Sequence, residues 1–257
     1  AADAEAICEA VTRPTMRFVP VKSAEQQAAV MVLRTRALLV RERTQSINAL
    51  RGHLGELGII ASSGVANIKT LAVIIRHGED ARLPRAARFA LMEILETIEG
   101  LSARIERLER EIVAEARRDA DLRRLATIPG VGPIIAMAVK AFVPDPGGFA
   151  SARHFAAWIG LTPKAHSSGG KERLGRISKM GNAELRSLLT TGATSVLRHV
   201  RDRERVWPWL KEMLARRPFK VVAVALANKI ARTIWALLTA GGTYRAPTPT
   251  QAATMPG

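Results

Sequence analysis

Cysteine is almost absent from this sequence. Cys8 is the only one among 257 residues, so the chain can form no intramolecular disulfide and no cysteine-rich zinc site. The five histidines are scattered without the spacing of metal ligands. Proteins that need neither disulfides nor structural zinc are typical of the cytoplasm, and we expect that location.

Aromatic residues are also scarce, at 4% of the sequence. Proteins that bind membrane surfaces usually carry aromatic or long apolar anchors beside their cations, so this composition does not favour membrane binding. The most apolar late segment, Val221 to Leu238, is interrupted by Asn228, Lys229 and Arg232. With no signal peptide at the start either, we predict no membrane-spanning helix.

Acidic residues are outnumbered by basic ones. The sequence has 39 Lys and Arg against 23 Asp and Glu, a formal net charge of +16 and a pI of about 11.3. Residues 151–220 alone contain fifteen Lys or Arg and five Asp or Glu. Such an excess indicates a polyanionic partner, and we predict nucleic acid.

Apolar residues make up 47% of the sequence, enough for a core, and their spacing predicts a mainly α-helical fold. We expect a long helix from Ser23, its N-cap, to about Leu57, and an extended connector or edge strand over Met16 to Val21. After a Gly-rich link and a short helix, a second long helix should run from Ala86 to about Arg124. Later helices are expected over 151–158, 182–200 and 219–240, with Gly241 ending the last.

The second long helix carries a seam with alternating gaps of three and four residues, which is typical of a coiled coil. Its members are Leu91, Ile94, Ile98, Leu101, Ile105, Leu108 and Ile112. This seam requires a partner along its length. The partner is either the first long helix, in an antiparallel hairpin, or another protomer, and we expect a homo-oligomer.

The sequence IPGVGPIIAMAVK, from Ile128 to Lys140, has the form of a helix-hairpin-helix turn. Gly130 and Gly132 permit a tight turn, and the free backbone N–H groups of the next helix could bind a DNA phosphate without reading sequence. The alternative is an ordinary corner between two packed helices.

The segment from Gly160 to Asn182 places Ser167 and Ser168 beside two glycines and among cations. An unhindered serine in such a setting could attack a phosphodiester, and the cations would stabilise the transition state of phosphoryl transfer. The alternative is a flexible surface turn in a basic protein. The residues that we predict to bind DNA are Gly130, Gly132, Lys164, Lys171, Arg173, Arg176, Lys179 and Arg186.

Several of these stretches resemble, in their order, a known family. They include MRFVPVKSAEQQ, IPGVGP, FAAWIGLTP, SSGGKERLGRISKMGN and KIARTIWALL, and together they cover nearly the whole chain. The sequence is identified as similar to the DEDD transposases of bacterial insertion sequences, in the IS110 group with its IS1111 branch. This group includes relatives of the pilin-gene invertase and recombinases guided by a bridge RNA.

In that family a RuvC-like domain with an RNase H fold supplies four acidic residues, which implies a site for Mg²⁺. Asp3, in the sequence AADA, matches the last of the four, and the other three would precede Ala1. Since Ala1 is not Met and the first residues resemble the middle of a helix, we expect an N-terminally truncated chain with most of the metal site missing. Such a chain should be inactive alone.

The resemblance also implies a serine nucleophile that forms a covalent phosphoserine with DNA. Ser168, directly before Gly169, matches that serine, with Ser167 as the alternative. The implied partners are DNA and a noncoding bridge RNA, in a bacterial protein associated with the nucleoid. The competing hypotheses are a DNA-binding protein without chemistry and a RuvC-like nuclease that does not join strands.

The expected organisation has four parts. Residues 1–22 would be the remnant of the RuvC-like domain, 23–124 a long helical or coiled-coil region, 125–245 a helical serine transposase domain and 246–257 a disordered tail.

Overall fold

The fold is mainly α-helical, as predicted. A computed structural model describes residues 2–16, 18, 20–62, 64, 67–77, 80–165, 174–199 and 208–245. Within these residues the helices are α1 (Ala2–Thr12), α2 (Ala24–Glu56), α3 (Ile68–His77), α4 (Arg85–Arg118), α5 (Ala120–Leu125), α6 (Pro133–Phe142), α7 (Ala152–Ile159), α8 (Ala183–Arg198), α9 (Pro208–Arg216) and α10 (Phe219–Ala240). Two short strands, β1 (Pro163–Ala165) and β2 (Leu174–Ile177), lie between α7 and α8.

The long helices α2 and α4 pack against each other as an antiparallel hairpin, so the seam of α4 has its partner in the same chain. Ser23 starts α2 as predicted, in a capping box with Gln26. Most residues of the predicted seam are buried. Ile94 is only half-buried, however, and its neighbour Leu95, which was not assigned to the seam, is fully buried.

Two apolar clusters occupy the two ends of this hairpin. At its tip, α3 packs on the end of α2 and the start of α4, around Leu50, Leu71 and Leu95. At its base, Leu33 and Ile112 join the larger cluster that includes α5 to α10. Between the clusters, Arg36 donates from Nε and Nη2 to Glu109 Oε1 over 2.8 and 2.5 Å. Arg36 of α2 therefore forms an ion pair with Glu109 of α4.

The second long helix is shorter than predicted. It ends at Arg118 instead of about Arg124, and Asp119 caps the separate helix α5 by accepting hydrogen bonds from the backbone N–H groups of Asp121 and Leu122. Lys140 of α6 also donates to the Asp119 carboxylate. Burial alone would raise the pKa of Asp119, but these hydrogen bonds outweigh it and hold the pKa below its ordinary value.

Helix α10 is the central helix of the C-terminal half. By length and mean hydropathy it could cross a membrane, which the sequence analysis did not expect. In this fold, however, one of its faces is buried in the main cluster against α7 and α8. The buried residues are Val222, Ala223, Leu226, Ala227, Ile230, Ala231 and Ile234.

The N-terminal residues contribute little to either cluster. Helix α1 has no buried residue, and the described residues of Met16 to Val21 belong to no helix or strand. That α1 is the remnant of a RuvC-like domain stays a prediction. The predicted disordered tail, 246–257, lies outside the described residues.

Candidate nucleic-acid interface

The two strands form an antiparallel hairpin that was not predicted. Pro163 pairs with Ile177 and Ala165 with Leu174. Ser167, Ser168, Lys171 and Arg173 belong to the connection between these strands and lie outside the described residues. Because Ala165 pairs with Leu174, the residues on either side of this connection lie next to each other.

A close crossing of two backbone turns supports the hairpin. Gly160 ends α7 and Gly181 precedes α8, both with φ of +82°. A Cβ at Gly181 would lie 1.8 Å from the carbonyl oxygen of Trp158, and one at Gly160 would lie 2.1 Å from that of Met180. Only glycine fits both positions, because any side chain would collide with the facing backbone.

Arg186 stabilises this crossing with two hydrogen bonds. Its Nη1 donates to the carbonyl oxygens of Ile159 and Met180, over 2.8 and 3.2 Å. The sequence analysis assigned Arg186 to DNA binding. The structure gives it two backbone partners that hold α8 against the end of α7, and a DNA contact stays a prediction.

The hairpin and α10 enclose a groove of about 950 Å³, which we call the α10 groove. One wall comes from Leu161 and the hairpin and the other from the exposed face of α10, and Trp209 of α9 also lines the groove. Its lining residues are Leu161, Pro163, Gly175, Arg176, Ile177, Lys179, Trp209, Lys220, Val221, Val224, Ala225, Asn228, Lys229 and Arg232.

A second groove of about 660 Å³, the α8 groove, lies beside the first and shares Ile177, Lys179, Lys220 and Val224 with it. A row of hydroxyl groups from α8 lines it, contributed by Ser187, Thr190, Thr191, Thr194 and Ser195. Arg186 and Arg198 are its other basic residues.

Both grooves are strongly cationic. Their lining includes Arg176, Lys179, Arg186, Arg198, Lys220, Lys229 and Arg232, and none of the described lining residues is Asp or Glu. Lys229 lies 5.2 Å from the centre of the Trp209 ring. Burial, followed by repulsion from Arg232, lowers the pKa of Lys229, so an anion in this groove would stabilise its charged form.

The IPGVGP turn joins α5 to α6 and gives its two glycines different surroundings. A Cβ at Gly130 would meet Val196 at 2.9 Å and the carbonyl oxygen of Gly192 at 3.0 Å, so this glycine packs on α8. Gly132 is the N-cap of α6 and has open space around it. A phosphate contact at either glycine stays a prediction, and the geometry favours Gly132.

Asp3 is exposed on α1. Among the residues that the structure describes, no group of three or more His, Cys, Asp and Glu side chains could hold a metal ion. A single exposed carboxylate does not fit a two-metal site, which needs several carboxylates around the ions.

Sequence reasoning located part of this surface. It predicted Arg176 and Lys179, and the exposed Lys164 lies on β1 at the edge of the hairpin. It missed Arg198, Trp209, Lys220, Lys229 and Arg232. Lys229 and Arg232 were visible as interruptions of an apolar helix three residues apart, which is the spacing of one helical face.

Comparison with known proteins places these features in a family. The family model described as "Transposase IS116/IS110/IS902 family" matches residues 122–207. A probable family 20 transposase of Pseudomonas aeruginosa is 50% identical over 245 residues, which cover 95% of this chain and 72% of that protein. A putative transposase of Sinorhizobium fredii, y4pF/y4sB, is 49% identical over 95% of this chain and 63% of its own length.

The transposase for insertion sequence element IS1111A of Coxiella burnetii is 42% identical, over 95% of this chain and 67% of that protein. A basic, mainly helical chain with relatives of this kind is an insertion-sequence transposase by class. It belongs to the IS116/IS110/IS902 transposase family. The chain spans 63% to 72% of the length of these three relatives.

Proposed function

We propose that this chain belongs to a recombinase that cuts and rejoins DNA through a serine nucleophile, Ser168, with Ser167 as the alternative. The observation that carries the proposal is the position of the β1–β2 hairpin. Its strands bracket the connection that contains both serines, and they also form one wall of a cationic groove. A phosphodiester bound in that groove would be close to both ends of the serine connection.

The proposed reaction has two steps. The serine Oγ attacks phosphorus and replaces one sugar oxygen, while the serine proton is lost and the departing sugar oxygen takes up a proton. A sugar hydroxyl of the second strand then attacks the phosphoserine, which restores the serine and rejoins DNA. The lining cations would stabilise the negative charge that builds up on the phosphate oxygens.

The two steps described above involve only the serine, the DNA and the lining cations. That Mg²⁺ is bound by Asp3 together with further carboxylates, as the family resemblance implies, is part of the proposal. It predicts that this chain alone is inactive, because one carboxylate cannot assemble the site. The proposal also includes a homo-oligomer and a noncoding guide RNA as partners.

The experiment is a test for a covalent protein–DNA adduct. Labelled DNA with the ends of an insertion sequence is incubated in Mg²⁺ with a longer protein that includes the acidic domain, and the products are separated on a denaturing gel. We expect an adduct that Ser168→Ala and Asp3→Ala each reduce by about a hundredfold or more, since nucleophile and metal site act as a unit. Ser167→Ala is the matched control and should leave the adduct within a few fold.

Three outcomes would change the assignment. Loss of the adduct in Ser167→Ala alone would move the nucleophile by one residue. Full adduct formation in both serine variants would overturn serine chemistry. An adduct formed by the 257-residue chain alone would show that the acidic domain is dispensable and that our account of the metal is wrong.

A second candidate function is DNA binding without chemistry. The observation in its favour is the cationic lining of both grooves, which could bind DNA without any reaction. On this alternative the chain binds DNA in a salt-dependent way, and no protein length gives an adduct.

A further inference from the structure

The exposed face of α10 is unusual for a surface helix. Opposite its buried face runs a second stripe with helical spacing, which starts with Val221, Val224 and Ala225 and ends with Lys229 and Arg232. Val221 is 50% exposed. An outward-facing helix face normally carries polar residues throughout, so the apolar half of this stripe indicates a binding surface.

The opposite wall of the α10 groove is apolar as well. Leu161, Pro163 and Ile177 face the stripe on α10. Asn228 links the two walls, because its Nδ2 donates to the carbonyl oxygen of Leu161 over 3.2 Å. The side-chain oxygen of Asn228 has no hydrogen-bond donor among the described residues and can accept one from an occupant. The groove has a volume of about 950 Å³, within the range of sites for small organic groups.

The charges of the groove restrict the occupant further. Its cations are Arg176, Lys179, Lys220, Lys229 and Arg232, and none of them forms an ion pair with a carboxylate among the described residues. An apolar peptide would leave these cations unused. A paired duplex would use them but leave the apolar walls empty, since its bases are stacked inside the helix.

An unpaired nucleotide satisfies both halves of the groove, with its base between the apolar walls and its phosphates on the cations. We propose that the α10 groove binds one unpaired nucleotide of the DNA substrate. This inference rests on the proposed function, because it assumes that DNA lies on this face of the protein. Binding of this kind combines contacts to the flat base with a cationic track for the backbone.

The test compares two synthetic duplexes of equal length, one fully paired and one with a single unpaired nucleotide at its centre. We expect fluorescence anisotropy to show about tenfold tighter binding of the chain to the second duplex, because burial of the unpaired base between the apolar walls adds affinity that the paired duplex lacks. With 2-aminopurine as the unpaired base, its emission should change when the protein is added.

Ala225→Trp fills the groove without changing its charge. It should remove the tenfold difference and the 2-aminopurine change, so that the two duplexes bind with similar affinity. Ala236→Trp is the matched control, because Ala236 is exposed on the same helix but does not line the groove. It should behave like the unchanged protein. Lys229→Gln is a second variant, which does not fill the groove. It should reduce the preference for the duplex with an unpaired nucleotide severalfold.

The outcomes separate this inference from the proposed function. If the unchanged protein binds neither duplex, the proposed function fails and the inference fails with it. If it binds both duplexes equally and in a salt-dependent way, only the nucleotide site is overturned. If Ala225→Trp weakened the binding of both duplexes equally, the nucleotide site would also be overturned, since the groove would then be part of a general DNA-binding surface. Thermal unfolding of each variant shows whether the fold is intact.

Discussion

Gly130 and Gly192 form one of the closest contacts between chain segments in the protein. A Cβ on Gly192 would lie 2.1 Å from the carbonyl oxygen of Gly130 and 2.8 Å from Ile135 Cδ1. The IPGVGP turn therefore lies directly on α8, and the tight turn brings α6 into the main cluster. At this point the sequence motif serves packing.

Gly192→Ala should destabilise the protein by about 2–3 kcal/mol or more, because the added methyl group collides with fixed backbone atoms. Gly132→Ala is the control from the same motif. Its φ of −91° and the open space around it should limit the change to about 0.5 kcal/mol. Denaturant unfolding measures both, and equal effects would show that the turn does not approach α8 as described.

Arg176 and Arg186 carry the same charge but make different contacts. Arg186→Ala should lower the free energy of unfolding by about 1–3 kcal/mol, because two carbonyl groups lose a charged donor. Arg176→Ala should leave stability within about 0.5 kcal/mol, since Arg176 is exposed and has no hydrogen bond among the described residues. Its effect should instead appear as weaker DNA binding that is alike for all sequences. A stability loss in Arg176→Ala would contradict this division.

At the scale of elements, the junction between α4 and α5 depends on one carboxylate. Asp119 caps α5 and pairs with Lys140 of α6, so it fixes the direction in which the chain leaves the long hairpin. An uninterrupted helix to Arg124 would carry Leu122 and Leu125 away from the main cluster, where both are buried.

Asp119→Ala should lower stability at pH 7 by about 1–2 kcal/mol through loss of the cap. Because the pKa of Asp119 is lowered in the folded state, its stabilising effect is complete above the unfolded pKa of about 3.9 and is lost as the pH falls through the lower folded value. The gap between variant and unchanged protein should therefore narrow below about pH 4. The control is Glu111→Ala, which removes an exposed carboxylate of α4 that has no partner among the described residues. Its free energy of unfolding should not differ in this way from that of the unchanged protein.

The elements that were predicted correctly are those with local signals. Ser23 and Asn182 cap their helices with their own side chains, Gly241 follows α10, and the seam of α4 repeats over several turns. The β1–β2 hairpin was missed because its strands have three and four residues and their pairing depends on tertiary contacts. Helix α9, which contributes Trp209 to the groove, was not predicted either.

The same distinction applies to the candidate site. Arg176 and Lys179 were predicted because they lie near the serines in sequence. Lys220, Lys229 and Arg232 follow about 40 to 55 residues later and reach the same groove only because α10 packs beside the hairpin. No local sequence pattern predicts that α10 packs beside the hairpin. The serines themselves lie outside the described residues, so their role stays a prediction.

At the scale of the whole molecule, the apolar packing is divided between the two ends of the long hairpin. The main cluster at its base supports both grooves, whereas the tip forms its own cluster with α3. The seam that suggested a second protomer is covered by α2 of the same chain. A homo-oligomer would have to use other surfaces, since a seam residue such as Ile98 is only 3% exposed.

The last prediction concerns the ionic strength dependence of DNA binding. If about six of the seven groove cations contact phosphates, affinity for duplex DNA should fall about a thousandfold between 50 and 200 mM salt, because counterions released on binding oppose it. Lys220→Gln should reduce the slope of log affinity against log salt by about one, since Lys220 lines both grooves. Lys69→Gln, the same change on an exposed residue of α3 at the tip, should leave the slope unchanged. Equal effects of the two variants would mean that DNA is attracted by the net charge of the chain and not by the grooves.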